Sequence, residues 1–122
     1  MKSRMIAALA IAAGLSCTPV WAQPAPNGET LFKQRCQSCH SVTAAQPATL
    51  GPSLRGVVDR KAASTAFRYS EALKKSGLTW NRANLDRYLA APSKMIPGTR
   101  MAVSLTDPQQ RAAIIGFLEG VR

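Results

Sequence analysis

The sequence predicts a small all-α fold, short helices joined by long loops, on three observations. Apolar residues recur at helical spacing in several segments, and these segments open on residues able to cap a helix. No stretch sustains the alternation of apolar and polar residues expected of a half-buried strand. Between the helical segments lie two long stretches, 41–66 and 92–105, punctuated by proline and glycine and without a period of their own.

The chain has 122 residues and opens on a targeting pattern. Lys2 and Arg4 give a basic start, Met5 to Leu15 is an apolar run of 11 residues, and Val20-Trp21-Ala22 is a cleavage-type site. The run is shorter than the roughly 17–25 residues that span a bilayer. Residues 1–22 therefore read as a secretory signal peptide, which sends the protein to the periplasm, and residues 23–122 as one domain. Gly14-Leu15-Ser16-Cys17 faintly suggests a lipoprotein site, but the apolar run already accounts for export.

After the proline-rich start, Asn27 is a cap and Glu29 suits a first turn, so a helix is expected over 27–39 with Leu31, Phe32 and Cys36 on one face. A short helix follows at 70–76, with Ser70 as cap, Glu71 in the first turn, Lys74 and Lys75 in the last, and Gly77 as the stop. Residues 81–90 carry the stripe Leu85, Tyr88, Leu89, and Pro92 ends that helix. The last helix opens at Thr106-Asp107-Pro108 and presents Ile114, Phe117, Leu118 and Val121 on one face. Gly116 inside it suggests a close backbone approach.

Within this frame the chemistry concentrates at Cys36-Gln37-Ser38-Cys39-His40. Two thiols three positions apart, with an imidazole directly after the second, form the attachment signature of a c-type haem. On a helical turn the three residues stand at i, i+3 and i+4 and share one face. Both sulfurs can then form thioethers with the porphyrin while His40 reaches the iron. A domain of this size with few large aromatics gains stability from such an apolar body at its centre.

Composition removes the main rivals. Cys36 and Cys39 are the only cysteines after residue 22, and His40 is the only histidine in the chain, so there is no second Cys pair to complete a tetrahedral zinc site and no second histidine for a His-rich one. A thioredoxin-like dithiol would need alternating strands and helices around the motif, which the pattern lacks. Loss of Lys2 and Arg4 leaves 14 basic against 6 acidic residues, a net +8. The basic residues are spread along the chain rather than clustered, which argues against nucleic acid and for an acidic protein partner.

The iron's second axial position needs a ligand, and methionine is the soft donor that raises the potential. Met95 and Met101 compete for it, and spacing gives Met101 only a slight lead. For either, core filler is the plain alternative. The motifs taken together go further. Cys36 to His40, Gly51-Pro52-Ser53-Leu54-Arg55-Gly56, Tyr69, Leu78-Thr79-Trp80, Tyr88-Leu89 and Ile96-Pro97-Gly98-Thr99-Arg100-Met101 occur in an order that resembles the class I cytochromes c, close to the mitochondrial and bacterial cytochrome c2 type. The resemblance spans about residues 27–121.

That resemblance implies the cytochrome c fold around one covalent haem c, held through Cys36 and Cys39, with His40 and Met101 as the two iron ligands. It implies that Pro52 accepts from the His40 ring, that Arg60, Tyr69 and Trp80 hold a haem propionate, and that Tyr88 and Thr99 hydrogen-bond near the methionine. Gly28 and Phe32 would cross Ile114 and Phe117. Arg100 and Leu73 depart from the family's usual lysine and asparagine, and Arg35, Arg55, Lys94 and Arg100 match its basic ring only in part. With both axial positions filled, no small-molecule substrate can coordinate. The expectation is a monomeric, soluble carrier of single electrons and not an enzyme, docking on acidic faces of a reductase, oxidase or dehydrogenase. A cytochrome subunit bound permanently to a periplasmic dehydrogenase is the alternative.

Overall fold

The computed structural model describes Gly14, residues 18–44 and residues 50–122. The predicted signal peptide falls largely outside the described residues. Its cleavage-type site does not: Val20 and Trp21 are exposed and outside any helix.

Five helices follow one another: α1 (Gly28–Arg35), α2 (Glu71–Lys75), α3 (Arg82–Ala90), α4 (Pro92–Met95) and α5 (Pro108–Glu119). Four of them open on capping side chains, three of which the sequence marks and the fourth of which, Asn81, stands at the start of its predicted helix. Asn27 accepts from the Thr30 N–H at 2.9 Å, Ser70 from Leu73 at 3.2 Å, Asn81 from Asn84 at 2.9 Å and Asp107 from Gln109 at 2.8 Å. Each satisfies one N–H that the first helical turn leaves without a partner. Gly77, with φ +63°, takes the left-handed conformation that stops α2.

The core is built where α1 and α3 meet α5. Phe32, Leu85, Tyr88, Leu89, Ile114, Ile115 and Leu118 are buried in one cluster with Val57, Trp80, Ile96 and Leu105. The expected crossing of the terminal helices is present. A Cβ on Gly28 would lie 2.1 Å from the Ala113 carbonyl oxygen, and the Phe32 and Phe117 rings pack at 5.4 Å. Only glycine permits that approach.

Three expectations are corrected. The first helix ends at Arg35 rather than 39, because Cys36 leaves the helical region at φ −121°, ψ −32° and turns follow. Residues 92–105 are not wholly irregular: Pro92, which ends α3, sits at the first turn of α4, where its missing N–H costs nothing. Gly116 marks no close approach, since a Cβ there meets nothing within 4 Å. Its cost is backbone entropy alone. Gly116→Ala is expected to stabilise the protein by about 0.5–1 kcal/mol, read as a rise of a few degrees in Tm. An unchanged or lower Tm would show that the helix needs the glycine.

The long loop 50–66 is held by backbone pairing with the chain before α3. Asp59 N–H donates to Trp80 O at 2.9 Å, Trp80 N–H to Arg60 O at 2.8 Å, and Ala62 N–H to Leu78 O at 2.8 Å. Lys61 and Thr79 form an isolated antiparallel bridge within this contact. Among the described residues no helix is long and apolar enough to cross a membrane.

Candidate haem-binding site

The Cys36–His40 segment is the turn that leaves α1. Cys36 N–H still bonds to Phe32 O at 2.8 Å, and the His40 N–H reaches back to Cys36 O at 2.9 Å. That last bond closes one helical turn across the motif, so the face-sharing expected from the spacing survives although the helix proper has ended. Cys36, Cys39 and His40 are all half-buried, and both thiols are free. Burial pushes the Cys36 thiol up to about 11 against the opposing pull of the Arg35 charge, so it stays protonated at neutral pH.

His40 is fixed on two sides. Its Nδ1 lies 2.8 Å from the Pro52 carbonyl, and because a carbonyl only accepts, Nδ1 carries the hydrogen. The neutral ring therefore keeps its lone pair on Nε2. Burial also holds the imidazole below its ordinary pKa, partly offset by the Pro52 bond, and so favours the neutral form that binds metal. Gly51 lies against the ring: a Cβ there would sit 2.4 Å from Cε1 and 2.6 Å from Nδ1. Gly51 is itself tied down, its N–H donating to Cys39 O at 2.9 Å.

The residues expected near the methionine, Tyr88 and Thr99, form a second group together with Trp80 of the expected propionate set. Trp80 and Tyr88 are buried with ring centroids 4.9 Å apart, and the Tyr88 hydroxyl is hydrogen-bonded to the Thr99 hydroxyl at 2.5 Å. Burial raises the Tyr88 pKa, partly countered by the Thr99 bond, so the phenol remains neutral. Met101 is half-buried and packs on the same core cluster as Cys36. Its segment is pinned before and after: Arg100 donates to Arg68 O at 3.0 Å, and Leu105 N–H to Leu89 O at 2.8 Å. Met95, on α4, packs on that cluster too, and it also lines a cleft with Ala72, Leu78 and Ile96 that includes none of the Cys36–His40 residues.

Tyr69 is buried, and its hydroxyl is bonded to the Thr65 hydroxyl. The Arg60 guanidinium donates to Arg55 O and Ser53 O, both at 2.9 Å, and so braces the loop that carries Pro52. With five N–H donors it keeps others for an acid group.

Three residues of this region escaped the sequence reading of roles: Gly51, Thr65 and Arg111. Arg111 reaches from α5 to Asp86 on α3 at 2.7 Å and to the carbonyls of Leu105 and Thr106 at 2.9 Å. It thereby clamps the segment that follows Met101. Nothing local in the sequence signals such a contact, whereas Gly51 stands in a Gly-Pro pair that the resemblance had already set apart.

These residues fit a covalent haem. Two free thiols and a histidine share one turn, the imidazole has its far nitrogen committed to a carbonyl, and a residue without a side chain leaves room for the ring. Comparison with known proteins agrees. The family model described as cytochrome c matches residues 25–122. Cytochrome c2 of Rhodomicrobium vannielii is 43% identical over 120 residues, covering 97% of this chain and 95% of that protein. Cytochrome c of Cochliobolus lunatus is 43% identical over 97 residues, or 78% of this chain and 90% of the relative. Among solved structures, cytochrome cH from Methylobacterium extorquens superposes with a TM-score of 0.70 at 41% identity, covering 76% of this chain and 94% of the other. The motif order, the all-α architecture and these matches agree, and the chain belongs to the cytochrome c family.

Proposed function

We propose that the protein is a monohaem electron carrier of the periplasm, with one haem c attached through Cys36 and Cys39 and ligated by His40 and Met101. The observation that carries the reading is the His40 ring, neutral, fixed by Pro52 and presenting Nε2. The haem supplies a reversible one-electron Fe(III)/Fe(II) couple. The chain's own residues do the rest. His40 is oriented by the Pro52 carbonyl and by Gly51, a constraint of the kind that sets ligand basicity. Met101 is preferred over Met95 because Met95 lines a separate cleft. Tyr88 and Thr99 support the methionine segment, while Arg60, Tyr69 and Trp80 would hold a propionate.

With His40 and Met101 both holding the iron, a substrate would find no open position on it, which supports a carrier rather than an enzyme. Export rests on the N-terminal pattern and is supported by the exposure of Val20 and Trp21 at the cleavage-type site. Absorption spectra of the purified protein, oxidised and reduced, test the assignment. Covalent haem with a weak far-red methionine–iron band is expected, and a colourless protein would sink it.

The partners are acidic docking surfaces of redox proteins, met by a monomer whose domain carries +8. Such charge acts mainly on the association rate, which steering can raise by roughly 10- to 1,000-fold. Oxidation of the reduced protein by an anionic complex such as ferricyanide is expected to slow as salt rises, and oxidation by a cationic complex to quicken. Rates indifferent to ionic strength would count against this docking mode.

A further inference from the structure

Arg111 is the fourth residue of α5, where the helix dipole disfavours a cation, and its side chain is only 12% exposed. A sheltered guanidinium needs its donors satisfied, and three acceptors meet it. Nε donates to Asp86 Oδ1 on α3 at 2.7 Å, and one terminal nitrogen donates to Leu105 O and Thr106 O, both at 2.9 Å. Asp86 stands three residues before Leu89, on the same side of α3, and the Leu89 carbonyl accepts the Leu105 N–H at 2.8 Å. Both backbone polar groups of the buried Leu105 are thus tied to one clamp.

That clamp closes one end of the stretch that carries Met101. The other end is held by Thr99 on Tyr88 and by Arg100 on Arg68 O. Between the two ends, residues 101–104 make no hydrogen bond among the described residues, and Ala102, Val103 and Ser104 are exposed. The backbone at Met101 therefore stays in place only while its ends stay shut. We propose that Arg111, oriented by Asp86, is a positioning residue for the iron ligation: it sets how often the 101–104 stretch opens and Met101 leaves the iron. The proposal rests on the reading of Met101 as the ligand. The Arg82–Glu119 pair also joins α3 to α5, at 3.3 Å, but it touches neither end of the stretch and stabilises the helices alone.

Two rates in the oxidised, haem-loaded protein test this: cyanide binding, which requires that the methionine leave, and hydrogen exchange of the Leu105 amide, which requires that the clamp open. Arg111→Gln is expected to speed both about tenfold, the order that loss of charge-assisted hydrogen bonds allows, with the far-red methionine–iron band still present. Asp86→Asn keeps an acceptor but loses the charge, and should speed both about threefold. Two controls separate positioning from general stability. Arg82→Gln breaks the other α3–α5 pair, and Phe32→Leu lowers Tm through the α1–α5 ring contact; both should leave the two rates at the parent's values. Unchanged Leu105 exchange in Arg111→Gln, faster exchange without faster cyanide binding, an Asp86→Asn protein identical to the parent, or equal acceleration in either control would each overturn the proposal. Leu105 exchange reads the clamp without the iron, and the spectrum of Met101→Ala reads the ligand without the clamp, so the two failures are told apart.

Discussion

Met101→Ala is expected to abolish the far-red methionine–iron band, leave the haem covalently attached, and open the iron to carbon monoxide in the reduced protein. Met101 and Met95 both pack on the core cluster that Cys36 joins, but Met101 lies in a segment whose neighbours are fixed by the Tyr88–Thr99 bond, the Arg100–Arg68 bond and the Leu105–Leu89 bond. A soft thioether favours the reduced iron, so its loss lowers the potential, on the order of 0.2 V within the roughly 0.8 V that axial ligation spans. The anchors on either side hold the segment in place when the side chain is cut back, so the loss of the ligand is separable from loss of the fold. Met95→Ala is the control. On the cleft lining it should cost packing and leave band and potential alone. If Met95→Ala removes the band and Met101→Ala does not, the ligand assignment is reversed.

Much of this arrangement was legible in the chain because it is local. Asn27, Ser70, Asn81 and Asp107 each act on an N–H two or three residues away, and each was read correctly as a helix start. Gly77 as a stop is local for the same reason. Ambiguous local signals and contacts distant in sequence set the limits. Helix α1 was drawn too long because Cys36 through His40 keep turn-like bonding after the helical dihedrals are lost. Helix α4 was missed because a proline that ends one helix is read as a break, although it is equally suited to begin the next. Arg111 clamps residues 25 positions away on α3 as well as the segment before its own helix, and only the folded chain brings these together. Glycines show the limit most plainly. Gly116 drew attention within a helix and faces open space, whereas Gly51 was given no role of its own and lies against the histidine.

Gly51→Ala is accordingly the second large effect expected. The added Cβ would lie 2.4 Å from Cε1, 2.6 Å from Nδ1 and 2.9 Å from Nε2 of His40, inside any tolerable contact along one edge of the ring. Neither side yields cheaply. The ring is held by Nδ1 on the Pro52 carbonyl at 2.8 Å, and the Gly51 backbone by its N–H on Cys39 O at 2.9 Å. Relief therefore requires breaking one of these bonds or moving the imidazole. Overpacking costs about 1–3 kcal/mol and a lost hydrogen bond about 1 kcal/mol more, which together lower Tm by roughly 10–20 °C in a domain of this size. Unlike a core substitution of equal cost, this one also reorients His40, the proposed iron ligand, so the potential and the haem spectrum should shift with stability. Pro52→Ala separates the contributions, because it keeps the accepting carbonyl and adds no atom against the ring. It should change Tm far less and leave the spectrum near that of the parent. A Gly51→Ala protein with the parent's Tm and spectrum would mean that the imidazole is free to move, and that the Pro52 bond does not set its orientation.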